Sequence, residues 1–542
     1  MFPWTEDDRA TLNAVLSAAQ SGDHAEAARL AERALARGLE HPLLLNVAAL
    51  RLEQAGRLAD SEELLRRAVV MAPDDLGSIN ALGLCLLRLE RPADALEQFD
   101  ALIALNPNLP FAHVSRGNSL RAMGTVRDAE ASYQRALALD PNQGLAMAGL
   151  AQIAANRGMY HRARRWAGKA LELMPGFPDA IMSLASAELG DGQPLPAEAR
   201  IRALLGDERL TPLERAYANG LLGDILDALD RPPDAMAAYR ECNQELQRVY
   251  GDRFAGSKAL EHVRGMIRYF QSAPAAAWRI ASHAPSNHGG AAGHVFLLGF
   301  PRSGTTLLEV ILEGHPNIVS LEEKESLIDG VYAFLSRPED LAGLAKARPA
   351  ELEPLRHSYW RQVRAAGVDV AGKLFVDKHP LNTLKLPLIA KLFPDAKILF
   401  ACRDPRDIVL SCFRHRFQMS APIYELLTLE GAARYYDAVM QFLVQMTSLL
   451  PLATCLVRHE DVVMEFAREM KRICAFLGVD WAPGMKDFAA RTHDRASLTP
   501  STAQLVRGLS TEGLGQWRRY RNHLFAVLST LEPWVNRFYY DP

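Results

Sequence analysis

Residues 294–312 read HVFLLGF, PRSGTT, LLEVIL, three phrases with three different physical characters. The first, His294 to Phe300, is a continuous apolar run of the length of a buried parallel strand. The last, Leu307 to Leu312, suits a helix, and the Gly-containing phrase between them makes a tight strand-to-helix turn. At such a turn backbone N–H groups converge on an anion, helped by the helix dipole. Written G-x-x-x-x-G-T-T, Gly299 to Thr306 follows the Walker A phosphate-loop pattern, except that Thr305 stands where its Lys belongs. That Lys reaches the β/γ-phosphates and the following hydroxyl holds Mg²⁺. Its loss points to a 5′-group smaller than a triphosphate. A plain turn would need only glycine, and does not account for one Arg and three hydroxyls crowded into six residues.

A second apolar strand phrase, Lys397 to Cys402, ends in Arg403-Asp404-Pro405-Arg406-Asp407, with Ser411 about two helical turns on. An Arg at a strand end and a hydroxyl on the next helix can grip one phosphate from two sides. Alone, Arg403 would read as a surface salt bridge with Asp407. Between the two phrases lies a third, Leu374-Phe375-Val376-Asp377-Lys378-His379-Pro380, which offers a cation that the first loop lacks. From Lys373 to Arg416 there are nine basic residues against four acidic ones, a local excess suited to a small anionic ligand rather than a polymer.

These three blocks resemble the sulfotransferase family that uses 3′-phosphoadenosine 5′-phosphosulfate (PAPS), in particular its tyrosylprotein-sulfotransferase-like branch, over about residues 294–540. The resemblance implies that Arg302, Ser303, Gly304, Thr305 and Thr306 hold the 5′ end of PAPS, and Arg403 and Ser411 its 3′-phosphate. His315-Pro316 followed by Glu322-Glu323 is similar to the branch's H-P…E-E stretch, which implies Glu323 as the base. Lys378 corresponds to the Lys that stabilises the transferring sulfuryl group. Pro500 to Arg507 and Gly515-Gln516-Trp517 resemble the segment that closes over the cofactor, implying Ser501 beside the sulfuryl donor and Arg507 among the nucleotide contacts. Gln516 and His459 depart from the branch, which has Lys and Tyr there. His379, just after Lys378, is the rival base, as in the cytosolic enzymes. The implied reaction needs no metal and leaves 3′-phosphoadenosine 5′-phosphate (PAP).

The N-terminal half repeats. Pro73, Pro107, Pro141 and Pro175 are each 34 residues apart; Ala95, Ala129 and Ala163 lie twelve residues before three of them, and Gly83 and Gly117 lie twenty-four before two. Small residues at fixed helix crossings with a closing Pro resemble the tetratricopeptide repeat. Residues 190–196, GDGQPLP, read as an interruption of the period. The expected architecture is an all-α tetratricopeptide superhelical solenoid at 1–270, an Ala/Ser/Pro/Gly-rich linker at 271–293, and an α/β P-loop-like sulfotransferase domain with a central parallel sheet at 294–542.

Length and composition bound the rest. With 542 residues, 49% hydrophobic and 23% charged, net charge −3, the chain is ordinary globular material and not a bulk nucleic-acid binder. It shows no transmembrane run and no secretory signal, and its six cysteines form no C-x-x-C, so a cytoplasmic protein is expected. The acceptor is expected to be a peptide or protein docked on the repeats, with tyrosine the branch precedent and a glycan, lipid or small phenol the alternatives. The repeats also suit oligomerisation. Two other classes are an adaptor with a degenerate nucleotide-binding domain and a P-loop kinase, the latter weakened by Thr305.

Overall fold

The computed structural model describes residues 5–254, 256, 258–278, 289–489 and 508–541. Its N-terminal part is a run of antiparallel helix pairs, among them Pro42–Gln54 with Leu58–Met71, Leu76–Arg88 with Pro92–Leu105, and Pro110–Ala122 with Val126–Leu139. The closing prolines act as expected: Pro73, Pro107, Pro141 and Pro175 each stand two residues past a helix that ends at Met71, Leu105, Leu139 or Leu173. Pro has no N–H to continue the ladder, and its ring crowds the preceding turn.

Two further regularities explain the repeat physically. The hairpin within each pair carries one residue with positive φ, at Gly22, Gly56, Glu90, Gly124, Gly158 and Gly192, each 34 positions from the last. Glycine adopts that backbone without strain, so five of the six are Gly. Gly192 lies in register with the others. The 190–196 stretch is therefore not an interruption but the normal hairpin, with Pro194 opening the next helix, Pro194–Leu205. Close helix crossings supply the second regularity. A Cβ on Gly83 would come 2.6 Å from the Phe99 ring, one on Gly117 2.6 Å from Tyr133, and one on Gly223 2.4 Å from Tyr239. In each pair an aromatic sixteen residues onward fills the place of the missing side chain.

The described residues form two compact units, one from 5–155 and 159–187, the other chiefly from 188–489 and 508–541. The second unit contains more than the 294–542 segment. It includes helices Pro212–Ala228, Pro232–Phe254 and Ala259–Ser272, which lie against the α/β core. Asn243 Nδ2 donates to the Phe413 carbonyl at 2.9 Å, Phe270 meets Phe442 at a 6.1 Å ring separation, and a Cβ on Gly265 would strike Pro338 at 2.5 Å. Within 271–293 the described residues include the 3₁₀ turn Ala275–Trp278, whose Trp278 is fully buried.

The core is a five-stranded, all-parallel sheet: β1 (Gly293–Gly299), β2 (Ile318–Glu322), β3 (Leu374–Lys378), β4 (Lys397–Cys402) and β5 (Thr454–Arg458), in spatial order β2-β3-β1-β4-β5. β1 is central, and its run of apolar residues is buried on both faces, as a covered parallel sheet requires. One face packs Val295 and Leu297 against Leu308, Ile311 and Val457. The other packs His294 and Phe296 among Tyr359, Trp360, Phe375 and Phe393. Buried in that aromatic layer, the Tyr359 hydroxyl donates to Asp377 at 2.7 Å and lies 2.8 Å from His294 Nε2. Burial pushes the Asp377 carboxyl up to about 6, against the Tyr359 bond. The chain leaves β1 for the far edge, returns beside it through β3 and crosses to β4. The carboxyl ends of β1, β3 and β4 thus meet at a topological switch point, where open parallel sheets bind ligands.

Candidate active site

At the end of β1 the chain has almost no room. A Cβ on Gly299 would lie 2.4 Å from Ser303 Oγ and 2.8 Å from the Ala401 carbonyl of β4. The turn that follows holds Arg302 at φ 70° and Gly304 at φ 94°. A left-handed Arg costs about 1–3 kcal/mol and persists only where its surroundings enforce it. Helix Thr305–Leu312 then starts from Gly304 with no side-chain cap. Its first-turn N–H groups are not claimed by a capping side chain and face the turn, the arrangement that receives an anion. Ser303 Oγ is buried with no hydrogen-bond partner among the described residues.

β4 brings the second arginine. Arg403 follows Cys402 and is buried; its Nη1 lies 3.4 Å from the Arg302 carbonyl and its Nη2 donates to the Gly513 carbonyl. Its Nε is buried without a partner among the described residues. The ion pair to Asp407 is long, 3.7 Å, because Asp407 gives its oxygens to the N–H groups of Gly515 and Trp517 at 2.7 and 2.8 Å. Arg403 is thus neither at the surface nor neutralised by a close carboxylate. Helix Pro405–Arg414 places Ser411 Oγ 3.1 Å from Arg302 Nε, so the hydroxyl expected beside Arg403 also ties the two loops together. Burial, and then the neighbouring Arg403 charge, push the Arg302 guanidinium down to about 10. Two like charges held together, with orphaned donors nearby, make a ready anion site.

His459 sits against this loop, its Nδ1 2.6 Å from where a Gly304 Cβ would be, so only glycine fits there. Burial, then Arg403 and Arg302, push the imidazole down to about 3. It is a neutral filler at physiological pH.

Lys378, at the end of β3, is fully buried and ringed by three carboxylates: Glu323 at 2.8 Å, Glu322 at 3.1 Å and Glu309 at 3.4 Å. Burial alone would lower its pKa, but the three negative charges overturn that and raise it, so Lys378 stays charged. Glu323 has φ 47° and donates its N–H to the Lys378 carbonyl at 2.8 Å, which fixes its place just beyond β2. The three carboxylates differ in access. The side chain of Glu309 is 0% exposed, that of Glu322 10%, and that of Glu323 43%. Only Glu323 of this trio can meet an acceptor from solvent.

His379 points elsewhere. Its Nε2 lies 3.0 Å from Glu325, which also pairs with Lys385. Burial alone would raise the Glu325 carboxyl, but His379 and Lys385 outweigh it and bring it down to about 2.

The described residues therefore bring together Arg302, Ser303, Gly304, Thr305, Thr306, Arg403 and Ser411 at one place, and Glu323 with Lys378 at the end of β3, two strands from β4 in the sheet. Ser501 and Arg507 lie outside the described residues. Gln516 joins the 3₁₀ turn Gln516–Tyr520, its Nε2 donating to the Glu512 carbonyl, and Arg406 stacks 3.8 Å over the buried Trp517. Sequence reasoning missed Glu309, which accepts from Ser320 at 2.8 Å while flanking Lys378. Its signal was a lone charge within the apolar LLEVIL helix. Asp407, the clamp on residues 515–517, was seen only as a partner for Arg403.

Residues 294–483 match the sulfotransferase family, and residues 12–75 and 114–179 match the tetratricopeptide repeat. The chain is 23% identical over 274 residues to protein-tyrosine sulfotransferase A of Caenorhabditis elegans, covering 46% of this chain and 67% of that protein. It is likewise 23% identical over 262 residues to protein-tyrosine sulfotransferase 2 of Gallus gallus, covering 46% and 69%. A tetratricopeptide repeat protein from Parabacteroides merdae is similar at 18% identity over 44% of this chain and 94% of that one, with a TM-score of 0.37. No helix among the described residues is long and apolar enough to cross a membrane. The chain carries tetratricopeptide repeats followed by a domain of the sulfotransferase family.

Proposed function

We propose that the second unit transfers the sulfuryl group of PAPS to an acceptor hydroxyl, with tyrosine of a peptide or protein recruited by the repeats as the acceptor class. The observation that carries the reading is the pairing of Arg302 and Arg403 beside an uncapped helix N-terminus, with buried donors on Ser303 and Arg403 that have no partner among the described residues. The 5′-phosphosulfate would lie against residues 302–306 and the 3′-phosphate against Arg403 and Ser411. The Walker cation is absent at Thr305, and Lys378 of β3 supplies a charge at the end of the neighbouring strand. In the transfer the acceptor oxygen attacks sulfur in line as the bond to the PAP oxygen breaks. The acceptor proton goes to Glu323, and Lys378 with Ser501 balances the negative charge. All six cysteines are buried and unpaired, which suits a reducing cytoplasm.

The test of the reading is ligand choice. PAP and PAPS are expected to raise the melting temperature of the chain, since they bind the native state, whereas ATP with Mg²⁺ is expected to do so far less. Equal stabilisation by ATP–Mg²⁺ would favour a kinase; binding of PAP without turnover on any acceptor panel would favour an adaptor with a degenerate site. Arg403→Ala should remove a charge-assisted contact and weaken PAP by ~1.5–3 kcal/mol, roughly ten- to a hundredfold by calorimetry. An unchanged affinity would remove Arg403 from the phosphate site.

A further inference from the structure

The helix Pro212–Ala228 belongs by sequence to the repeat array, yet it touches the nucleotide-binding machinery through one carboxylate. Asp227 Oδ2 accepts from Arg414, the last residue of helix Pro405–Arg414. Its Oδ1 accepts from Arg519 Nη1 at 2.7 Å and from the Tyr520 hydroxyl at 2.6 Å, and its carbonyl accepts from Arg519 Nη2 at 3.0 Å. Arg519 also reaches Asp230 at 2.8 Å. One helical turn earlier, Asp224 takes Arg416 at 2.6 Å and the Tyr239 hydroxyl at 2.9 Å. Room for Arg416 exists because residue 220 is Gly: a Cβ there would lie 2.6 Å from Arg416 Cδ.

Arg414 and residues 519–520 lie on the two elements that frame the candidate site. Helix Pro405–Arg414 carries Ser411, bonded to Arg302; residues 513–517 carry the Gly513 carbonyl bonded to Arg403 and the N–H groups bonded to Asp407. Two of the junctions between these elements, at Arg403 and Asp407, lie at the site itself. Arg406 stacked on Trp517 joins them as well, and at the far end of the helix Asp227 makes a further junction. Without its charge, Arg414 would lose its paired carboxylate and Arg519 would keep only Asp230, so the one carboxylate that joins the two elements at that end would be gone.

We propose that Asp227 is a positioning residue for the nucleotide site, a pin by which the last repeat hairpin holds helix Pro405–Arg414 and residues 513–520 in the geometry that binds PAP. The inference rests on the PAPS reading above. Burial alone would raise the Asp227 carboxyl, but Arg414, Tyr520 and Arg519 outweigh it and hold it below the usual carboxylate value, so the pin stays charged. This last hairpin then pre-organises the site, and by linkage PAP binding tightens the hairpin in return.

The experiment uses the full chain, with PAP titrated by calorimetry and followed by hydrogen exchange. In the wild type PAP is expected to slow exchange in 299–306, in 513–520 and in 212–228. In Asp227→Asn, PAP should bind about tenfold more weakly, with slowing confined to 299–306. Should that variant not fold, Arg519→Gln, which keeps the Asp227–Arg414 pair, is expected to weaken PAP severalfold and to lose the 212–228 response. PAP affinity within twofold of wild type in the folded variant, with the 212–228 response retained, overturns the proposal and leaves the PAPS reading intact. A wild-type chain that does not bind PAP overturns both.

Discussion

Glu323→Gln is expected to lower turnover by ~10²–10⁴-fold at saturating PAPS, the range for loss of a general base, while PAP affinity stays as in the wild type. Gln keeps the shape and can still accept from Lys378 Nζ, 2.8 Å away in the native site, but it cannot take a proton. The carboxylate bonds to Lys378, and its negative charge near Arg302 opposes rather than aids a bound phosphate, so nucleotide binding should not weaken. Its assignment follows from access and anchoring together. Glu309 and Glu322 are closed off behind Lys378, whereas Glu323 is 43% exposed and is held by its own N–H to the Lys378 carbonyl. The left-handed backbone at Glu323 is one of five such non-glycine positions among the described residues, and Arg302 is another. Strain of this kind gathers where function over-determines geometry. His379→Ala is the control. Since Glu325 already engages His379 Nε2, that variant should retain turnover. The reverse pattern, with Glu323→Gln active and His379→Ala dead, would move the base to His379 and leave the fold and both phosphate grips in place.

Lys378→Met is expected to destabilise the second unit by ~3–5 kcal/mol, because removing one partner of a buried ion cluster strands the others. Here the stranded groups are three carboxylates, two of them nearly or wholly closed to water. A loss of that size corresponds to a fall in melting temperature of roughly 4–7 °C for a unit of this size. The pH dependence gives a second check, and its sign differs between the two proteins. In the wild type the Lys378 pKa is raised in the folded state, so its contribution is fully present below the unfolded value of about 10.4 and is lost only as pH rises beyond it. Between pH 5 and 9, roughly, this group adds no slope. In the variant the crowded carboxylates have lost their cation, so the folded state binds protons more readily than the unfolded one. Stability of Lys378→Met should then rise as pH falls from about 7 toward about 4, and the gap to wild type should narrow. A melting temperature equal to the wild type at pH 7, or a gap that widens on acidification, would refute the cluster as described.

Much of this architecture is written in local patterns. The 34-residue prolines terminate helices because of their own covalent structure, and a repeat needs only its neighbour to pack against. Residues 294–306 announce strand, turn and a helix start suited to an anion within a single short stretch, since each property is set by residues within a turn of one another. Arg302 and Arg403 were legible as candidates for the same reason, whereas Glu323 and Lys378 took their roles from the family resemblance. One local reading failed: the Gly/Pro cluster at 190–196 looked like a break until the φ of Gly192 placed it in register.

What no local pattern carries is which distant groups meet. That β1 lies between β3 and β4 follows from the crossover of a parallel sheet, and it alone puts Arg403 beside Arg302, about a hundred residues apart in the chain. Glu309 reads as a misplaced charge in an apolar helix until Lys378 arrives from β3 to neutralise it. Asp224 and Asp227 look like the solvated face of a repeat helix, and become half-buried anchors only when Arg414 and Arg416 close on them. A buried charge is tolerated only beside its counter-charge, and when that partner lies far along the chain, folding must bring it there before the residue's role can be read.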